Sequence, residues 1–252
     1  MIMPRFRPGL WPSIAAIVAI VATILLGNWQ HRRANFKADL QTQATVASTE
    51  PILELKSARD IDPSMRYRPV VSEGAFVGSA QIWLDNRTRN GVPGYLVLAP
   101  LRLADGTHVL VNRGWIAGTK TRDSVPPAPV SVDPVRVTGR LNTSPPSFLA
   151  LSGANVSGAV WQNVDLADYA RIQKIDVAPL IVEQWQLGVS GDGLVREWPM
   201  PDFGRNTNIS YMWQWWGFAA VAFVLWIVLG FRAGRVAASG IARNKVDGSD
   251  DG

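Results

Sequence analysis

The sequence predicts an α+β membrane protein: two transmembrane helices flanking an extracytoplasmic, mostly antiparallel β domain, open or barrel-like, with one or two helices. Three observations carry this expectation. Pro8 to His31 holds no formal charge, and neither does Asn206 to Phe231. Between them lie short β-branched runs separated by turn signals, a pattern of strands rather than of a bundle. A single stretch, Asp165 to Lys174, has helical character with an acidic residue at its start.

Each uncharged stretch reaches the roughly 20 apolar residues a helix needs to cross a bilayer. In hydrocarbon every backbone N–H and C=O must be satisfied within the segment, which a helix does. Trp11, Trp29, Tyr211, Trp213, Trp215 and Trp216 stand near the segment ends, where amphipathic rings favour the headgroup layer. A cleaved signal peptide fits the first stretch less well. Its apolar core outruns the usual 7–15 residues or so, and Gly27-Asn-Trp-Gln is a poor cleavage site. A buried core helix fits the second less well, because Arg232 and Arg235 follow it as a stop-transfer pair.

The tails carry Arg5, Arg7, Arg232, Arg235, Arg243 and Lys245, against Arg32, Arg33, Lys37 and Arg205 on the inner flanks. The bias puts both tails in the cytoplasm. The organisation expected is therefore a cytoplasmic tail (1–9), a first transmembrane helix (10–30), an extracytoplasmic domain (31–206), a second transmembrane helix (207–231) and a cytoplasmic tail (232–252). The chain has net charge +5. Once the tail residues are set aside the middle is nearly neutral, so no basic patch points to nucleic acid.

From Arg32 to about Ala58 the chain reads as a helical stalk and a linker. Strands follow over Tyr67–Val77, Gln81–Asp85, Gly94–Leu101 and His108–Ile116. The last two are joined through Ala104-Asp-Gly106, a tight-turn signal because glycine supplies positive φ. Val135–Leu141, Ala159–Val164 and Ala178–Leu187 complete the sheet. The helix at Asp165–Lys174 is capped by Asp165. Pro126–Pro129 and Pro145–Ser147 are loops.

No catalytic constellation emerges. With no cysteine and two histidines, thiolate and multi-histidine metal sites are excluded. There is no glycine-rich phosphate loop. His108, two residues past a turn, reads as a half-exposed strand residue. The chain is not expected to be an enzyme.

Four dense motifs stand out instead. Trp29, Gln30, Arg33 and Lys37 end the first apolar stretch. Asn86, Arg87, Gly91, Gly94 and Tyr95 form a polar, glycine-rich turn. Asn112, Arg113, Gly114 and Trp115 end an apolar strand after Pro100-Leu101 and Asp105-Gly106. Asn206, Asn208, Tyr211, Gln214 and Trp215 open the second stretch. In this order and spacing they resemble the surfeit-locus cytochrome c oxidase assembly factors, in their bacterial form, over nearly all of Leu26 to Phe231.

The resemblance implies a non-catalytic assembly factor in the bacterial inner membrane. It implies partners in the lipid bilayer and in cytochrome c oxidase subunit I, with haem-synthesis enzymes as a further candidate. It also implies assistance to haem a insertion, or to stabilisation of subunit I as a chaperone. A membrane-anchored scaffold that binds partner subunits without a cofactor is the alternative. The family's last motif carries a histidine proposed as axial ligand to haem a. Here that position is Asn208, and asparagine is not an axial ligand that proteins use. His31 is the remaining candidate at the membrane edge, and an ordinary headgroup-layer residue is its plainer reading.

Arg87 and Arg113 are expected to hold the turn region by gripping backbone carbonyls or a carboxylate such as Asp85 or Asp105, or else to form a docking surface. Gln30 and Gln214 are expected to meet at a seam between the two apolar helices, with Tyr211 and Trp215 around them.

Overall fold

A computed structural model describes residues 6–119, 124–131, 133–146, 156–185 and 191–247. In chain order the elements are α1 (Leu10–Thr49), β1 (Leu53–Leu55), β2 (Pro69–Phe76), β3 (Ile82–Leu84), β4 (Gly94–Leu103), β5 (His108–Ala117), β6 (Val135–Asn142), β7 (Val156–Ser157), β8 (Val160–Trp161), α2 (Leu166–Gln173), β9 (Ile181–Gln184) and α3 (Arg205–Asp247). They form two compact units. One joins the chain up to Gln41 with the chain from Pro201 onward, and the other is Thr42–Met200. Ser147, the end of the expected Ala178–Leu187 strand, Arg5 and the last five residues of the expected C-terminal tail (248–252) lie outside the described residues.

In the first unit, α1 and α3 are both long and apolar enough to cross a membrane. The face that α1 buries is narrow: Gly27, Gln30 and Ala34, spaced three and four apart as one helical stripe requires. Gly27 allows the helices to close, because a Cβ there would overlap the Trp216 indole. Further along, the Trp226 indole N–H donates to Ser13 Oγ at 3.1 Å, and the Phe6 and Trp226 rings meet edge-on with centroids 5.2 Å apart.

The second unit is a small closed barrel. Its strands run β2-β6-β9-β5-β4, and β4 pairs back onto β2 through Gly74–Leu103, Ala75–Arg102 and Phe76–Leu101. Within the barrel only β5–β9 is parallel. β3 and the short β8–β7 hairpin extend the sheet beyond β4, and β1 adds in parallel to β2. The expected mostly antiparallel domain is thus present. β1 falls within the expected linker, because three residues are too few to show a period. The expected strand from Tyr67 starts instead at Pro69, since Tyr67 has φ +72°, outside the extended region.

Two large apolar clusters fill the fold beside a small third of Val97, Ala128 and Leu194. Val70, Leu101, Val109, Val111, Val137, Leu141 and Val182 line one. Leu98, Leu110 and Ile181 face the other, with Ile82, Leu84, Trp161 and Tyr169. β5 therefore buries both faces, and each enclosed Val or Leu is worth about 1.5–3 kcal/mol. α2 closes the second cluster as expected. Asp165 caps it, accepting from the N–H groups of Ala167 and Asp168 at 2.9 and 3.1 Å, a contribution of about 1 kcal/mol. The Tyr169 hydroxyl donates to Ala80 O at 2.5 Å.

Candidate functional site: two hydrogen-bonded junctions

The first and last motifs meet in the helix unit. Asn208 sits in the first turn of α3, buried to 7 % exposure. Its Nδ2 donates to Gln30 Oε1 at 2.5 Å. Its Oδ1 accepts from Lys37 Nζ at 2.6 Å, and the same ammonium donates to Gly204 O at 3.3 Å. Gln30 and Lys37 are seven apart on α1, two helical turns, so one residue of α3 reaches both. Asn208 is the hub of a chain ammonium–amide–amide in which every bond has a donor and an acceptor. Between apolar helices such bonds average about 0.6 kcal/mol each, and an unpaired amide would cost more.

The expected seam is present with a different partner. Gln214 is exposed and does not meet Gln30. It lies six residues past Asn208, which turns it about 120° around the helix axis. Tyr211 is exposed on α3 too, and Trp215 packs edge-on against Phe218 at 5.8 Å. The described residues of α3 that turn inward are Asn208, Met212, Ala219, Gly230 and Gly234. On α1, the Arg33 guanidinium lies over the Trp29 ring, 5.5 Å from its centroid.

The residues at the position that the resemblance assigns to a haem ligand do not fit that role. Both ends of the Asn208 amide are occupied, one of them by a cation that would oppose a metal centre. His31 is exposed on α1, with Nε2 3.3 Å from the Asn35 amide nitrogen and its ring 6.2 Å from that of Trp216.

The other two motifs meet in the barrel. The β4–β5 ladder slips between Val97 and Leu98: Val97 pairs with Gly114 and Leu98 with Asn112. Arg113 is the extra residue, and a bulge re-aims its side chain. Its Nη1 donates to Gln81 Oε1 at 2.6 Å and to Ala128 O at 2.9 Å. Its Nη2 donates to Pro129 O at 2.8 Å. The guanidinium also covers the Phe76 ring at 5.3 Å. Burial pulls it down to about 10, with Asp192 opposing and Arg196 adding. The strand runs on through Gly114 to Ala117, one residue past the expected end at Ile116. Gly114 has φ +145°, and a Cβ there would meet Leu194 Cβ at 2.9 Å, so only glycine follows the bulged arginine without strain.

Arg87 belongs to the same region. Its backbone N–H donates to Gly94 O, its carbonyl accepts from the Trp115 indole at 2.6 Å, and its Nη1 donates to Pro146 O at 3.2 Å. Burial pushes it below its ordinary range, with Asp85 opposing. Beyond it, an Asn90-Gly91 turn is closed by mutual Arg89–Val92 bonds at 2.9 Å. Asn86 takes φ +60° and donates its N–H to Asp85 Oδ1 at 2.7 Å. Tyr95 is buried beside this turn on β4.

Both arginines thus grip backbone carbonyls, one of the two expected modes. Arg113 does not use a carboxylate, and Asp105 instead bonds Thr107. Nor does Arg113 stand on an exposed turn, being 5 % exposed. Gln81 and the Ala128–Pro129 carbonyls, its partners, are not foreseen by the sequence reading. A signal was available in Asn112-Arg-Gly114, polar residues and a glycine inside an apolar strand pattern, which suggests a bulge.

Among the described residues, two long apolar helices are linked through buried amides, and a small closed barrel lies between them in the chain. The SURF1 family model matches residues 17–220, and the chain belongs to the SURF1 family. It is 33% identical over 104 residues to a SURF1-like protein of Dictyostelium discoideum, covering 37% of this chain and 38% of that one. It is 27% identical over 206 residues to the cytochrome oxidase assembly protein SHY1 of Saccharomyces cerevisiae, covering 78% of this chain and 52% of that one. It is 27% identical over 233 residues to a SURF1-like protein of Mycobacterium bovis, covering 87% and 84%. The chain therefore spans about half or less of the length of the first two relatives.

Proposed function

We infer that this chain is an assembly factor for cytochrome c oxidase, anchored in the bacterial inner membrane by α1 and α3 with both termini cytoplasmic and the barrel outside. Its work is to stabilise subunit I during biogenesis through protein contacts. The yeast relative's name, a cytochrome oxidase assembly protein, supports the pathway. Two helices of spanning length support the anchorage, and the tail arginines support the orientation. The observation that carries the choice of protein contacts over a bound cofactor is Asn208, whose amide is committed to Lys37 and Gln30. This is the scaffolding form of the assembly role.

The test is deletion of the gene and complementation. Assembled oxidase, read from haem a absorbance of membranes and from subunit I level, is expected to fall in the deletion strain and to return with the wild-type chain. A tagged chain is expected to co-purify subunit I. Normal oxidase in the deletion strain would sink the assembly reading. A reporter fused near Ser124 that signals from the cytoplasm would overturn the orientation.

A further inference from the structure

The exposed flank of α1 just beyond its apolar run carries a groove of about 480 Å³ whose lining shares only Lys37 with the hydrogen-bonded junction. Trp29, Phe36 and Phe203 supply its apolar surface, and Arg32, Arg33 and Lys37 stand around it. Trp29, Arg33 and Phe36 recur at helical spacing, so they share one face of α1. Among the described residues none of these three cations has a carboxylate partner within ion-pair distance. The nearest acid in the chain beside Phe203, Asp202, is taken by the Gly204 N–H at 2.7 Å. Lys37 directs two of its three N–H donors to Asn208 and Gly204, and an ammonium has a third.

Apolar rings beneath unneutralised cations match an amphiphile with an anionic head. We propose that this groove binds the phosphate headgroup of an anionic phospholipid, with Arg32 and Arg33 as forks on the phosphate and Lys37 as a third donor. Guanidinium forks suit phosphate oxygens. The position suits a lipid, because Arg32 lies about 9 Å along the helix from Leu26, the last residue of the apolar run. Exposed Ile24, Leu25 and Leu26 continue the surface toward where acyl chains would lie. Charge selects anionic over zwitterionic lipid. A choline head would bring a fourth cation, and the Trp29 face that could receive it already carries Arg33. The site rests on the membrane reading proposed above.

The test is native mass spectrometry of the full chain, extracted from bilayers holding phosphatidylglycerol and phosphatidylcholine in equal amounts. Retained phosphatidylglycerol is expected to dominate. The Arg32→Gln/Arg33→Gln variant is expected to lose that preference roughly thirtyfold, at about 1 kcal/mol per basic residue. The control Arg232→Gln/Arg235→Gln, at the far end of α3, is expected to keep it. Equal adducts of the two lipids, an undiminished preference in the first variant, or an equal loss in the control each overturn the site. Alkaline carbonate extraction separates the two claims. Release of the chain from membranes overturns both, whereas retention with no lipid preference overturns the site alone.

Discussion

The helix pair and the barrel each bury part of a cation against neutral oxygens, and they do so by opposite means. In the helix pair, Lys37 reaches one carbonyl and one amide, and the amide passes the bond on to Gln30. The apolar runs that follow this chain along the helices offer little to choose one helix register over another. The polar hub supplies the register. In the barrel, packing already fixes the strands. Arg113 has another task, tying the irregular Ala128–Pro129 segment to β5 and to Gln81 ahead of β3. A compact point charge suffices where two acceptors on one short segment, Gly204 and Asn208, must be met, and a planar fork is needed where three acceptors must be held at once. If this contrast is right, damage in the barrel should show as lost stability, and damage in the helix pair as lost register.

The largest expected effect is at Arg113. Arg113→Ala leaves the buried Gln81 Oε1 without its donor and removes the bonds to the Ala128 and Pro129 carbonyls, of which Ala128 O keeps the Gln81 amide at 2.8 Å. The one buried orphan costs about 1–3 kcal/mol and the two lost carbonyl bonds add to it, so a loss of roughly 3 kcal/mol is expected. Arg113→Lys keeps the charge and loses the fork, and should cost about 1–2 kcal/mol. Urea unfolding of the full chain in detergent, followed by tryptophan fluorescence, reads both. A lysine variant with unchanged unfolding and unchanged oxidase assembly would remove any role for the fork. Unchanged unfolding with failed assembly would move Arg113 to a docking role.

A smaller effect is expected at the helix junction, and it sharpens the contrast because position is read out rather than stability. Asn208→Ala breaks two bonds worth about 1 kcal/mol together. The chain has no cysteine, so introduced pairs report cleanly. Cysteines at 30 and 208 should crosslink on oxidation, whereas cysteines at 30 and 214 should not. Crosslinking of 30 with 214 in place of 30 with 208 would restore the seam expected from the sequence and discard the one built on Asn208.

The reason that seam is only half legible in the sequence lies in α3. Tyr211, Gln214 and Trp215 share a face by spacing, and glutamine in an apolar run demands a partner. Spacing alone does not say which face turns inward. Gly27, whose absent Cβ admits Trp216, and Asn208 fix that rotation. In the sequence Gly27 is no more than a glycine in an apolar helix. Asn208 reads there as a histidine position lost, not as a hub. In the barrel, local chemistry is the better guide. The Asp105-Gly106 turn, the Asp165 cap and the clean alternation of Val135–Leu141 each fix an element from a few neighbours. The closure of β4 onto β2 is not legible, since it depends on residues roughly 30 apart in the chain meeting edge to edge. The bulge at Arg113 is legible only in part, because the polar run and glycine that signal it also fit a strand end.

The smallest expected effect tests a third way of holding charge, on a fully exposed turn. Asp105 Oδ1 accepts from the Thr107 hydroxyl at 2.6 Å and from the Thr107 N–H at 3.0 Å. The Thr107 hydroxyl oxygen in turn accepts from the Ala58 N–H at 2.8 Å, joining the β4–β5 hairpin to the segment after β1. These bonds favour the charged carboxylate. The Thr107 hydroxyl first, then Ser57 and the Thr107 N–H, push Asp105 down to about 2 from an ordinary 3.8. Between those values the unfolded chain binds more protons than the folded one, so stability rises with pH there. The contribution is complete above about pH 4 and fades as the pH falls toward 2. Asp105→Asn cannot take up that proton, so its deficit against wild type should be largest near neutral pH and should shrink on acidification. Hydrogen exchange of the Leu103–Val109 amides, compared between the two proteins from about pH 5 to about pH 2.5, reads the difference. Parallel curves across that range would mean that the turn is held by its backbone alone. The barrel would then depend on charge at its buried groups, Arg113 and the Arg140–Glu183 pair among them, where burial makes each lost bond costly.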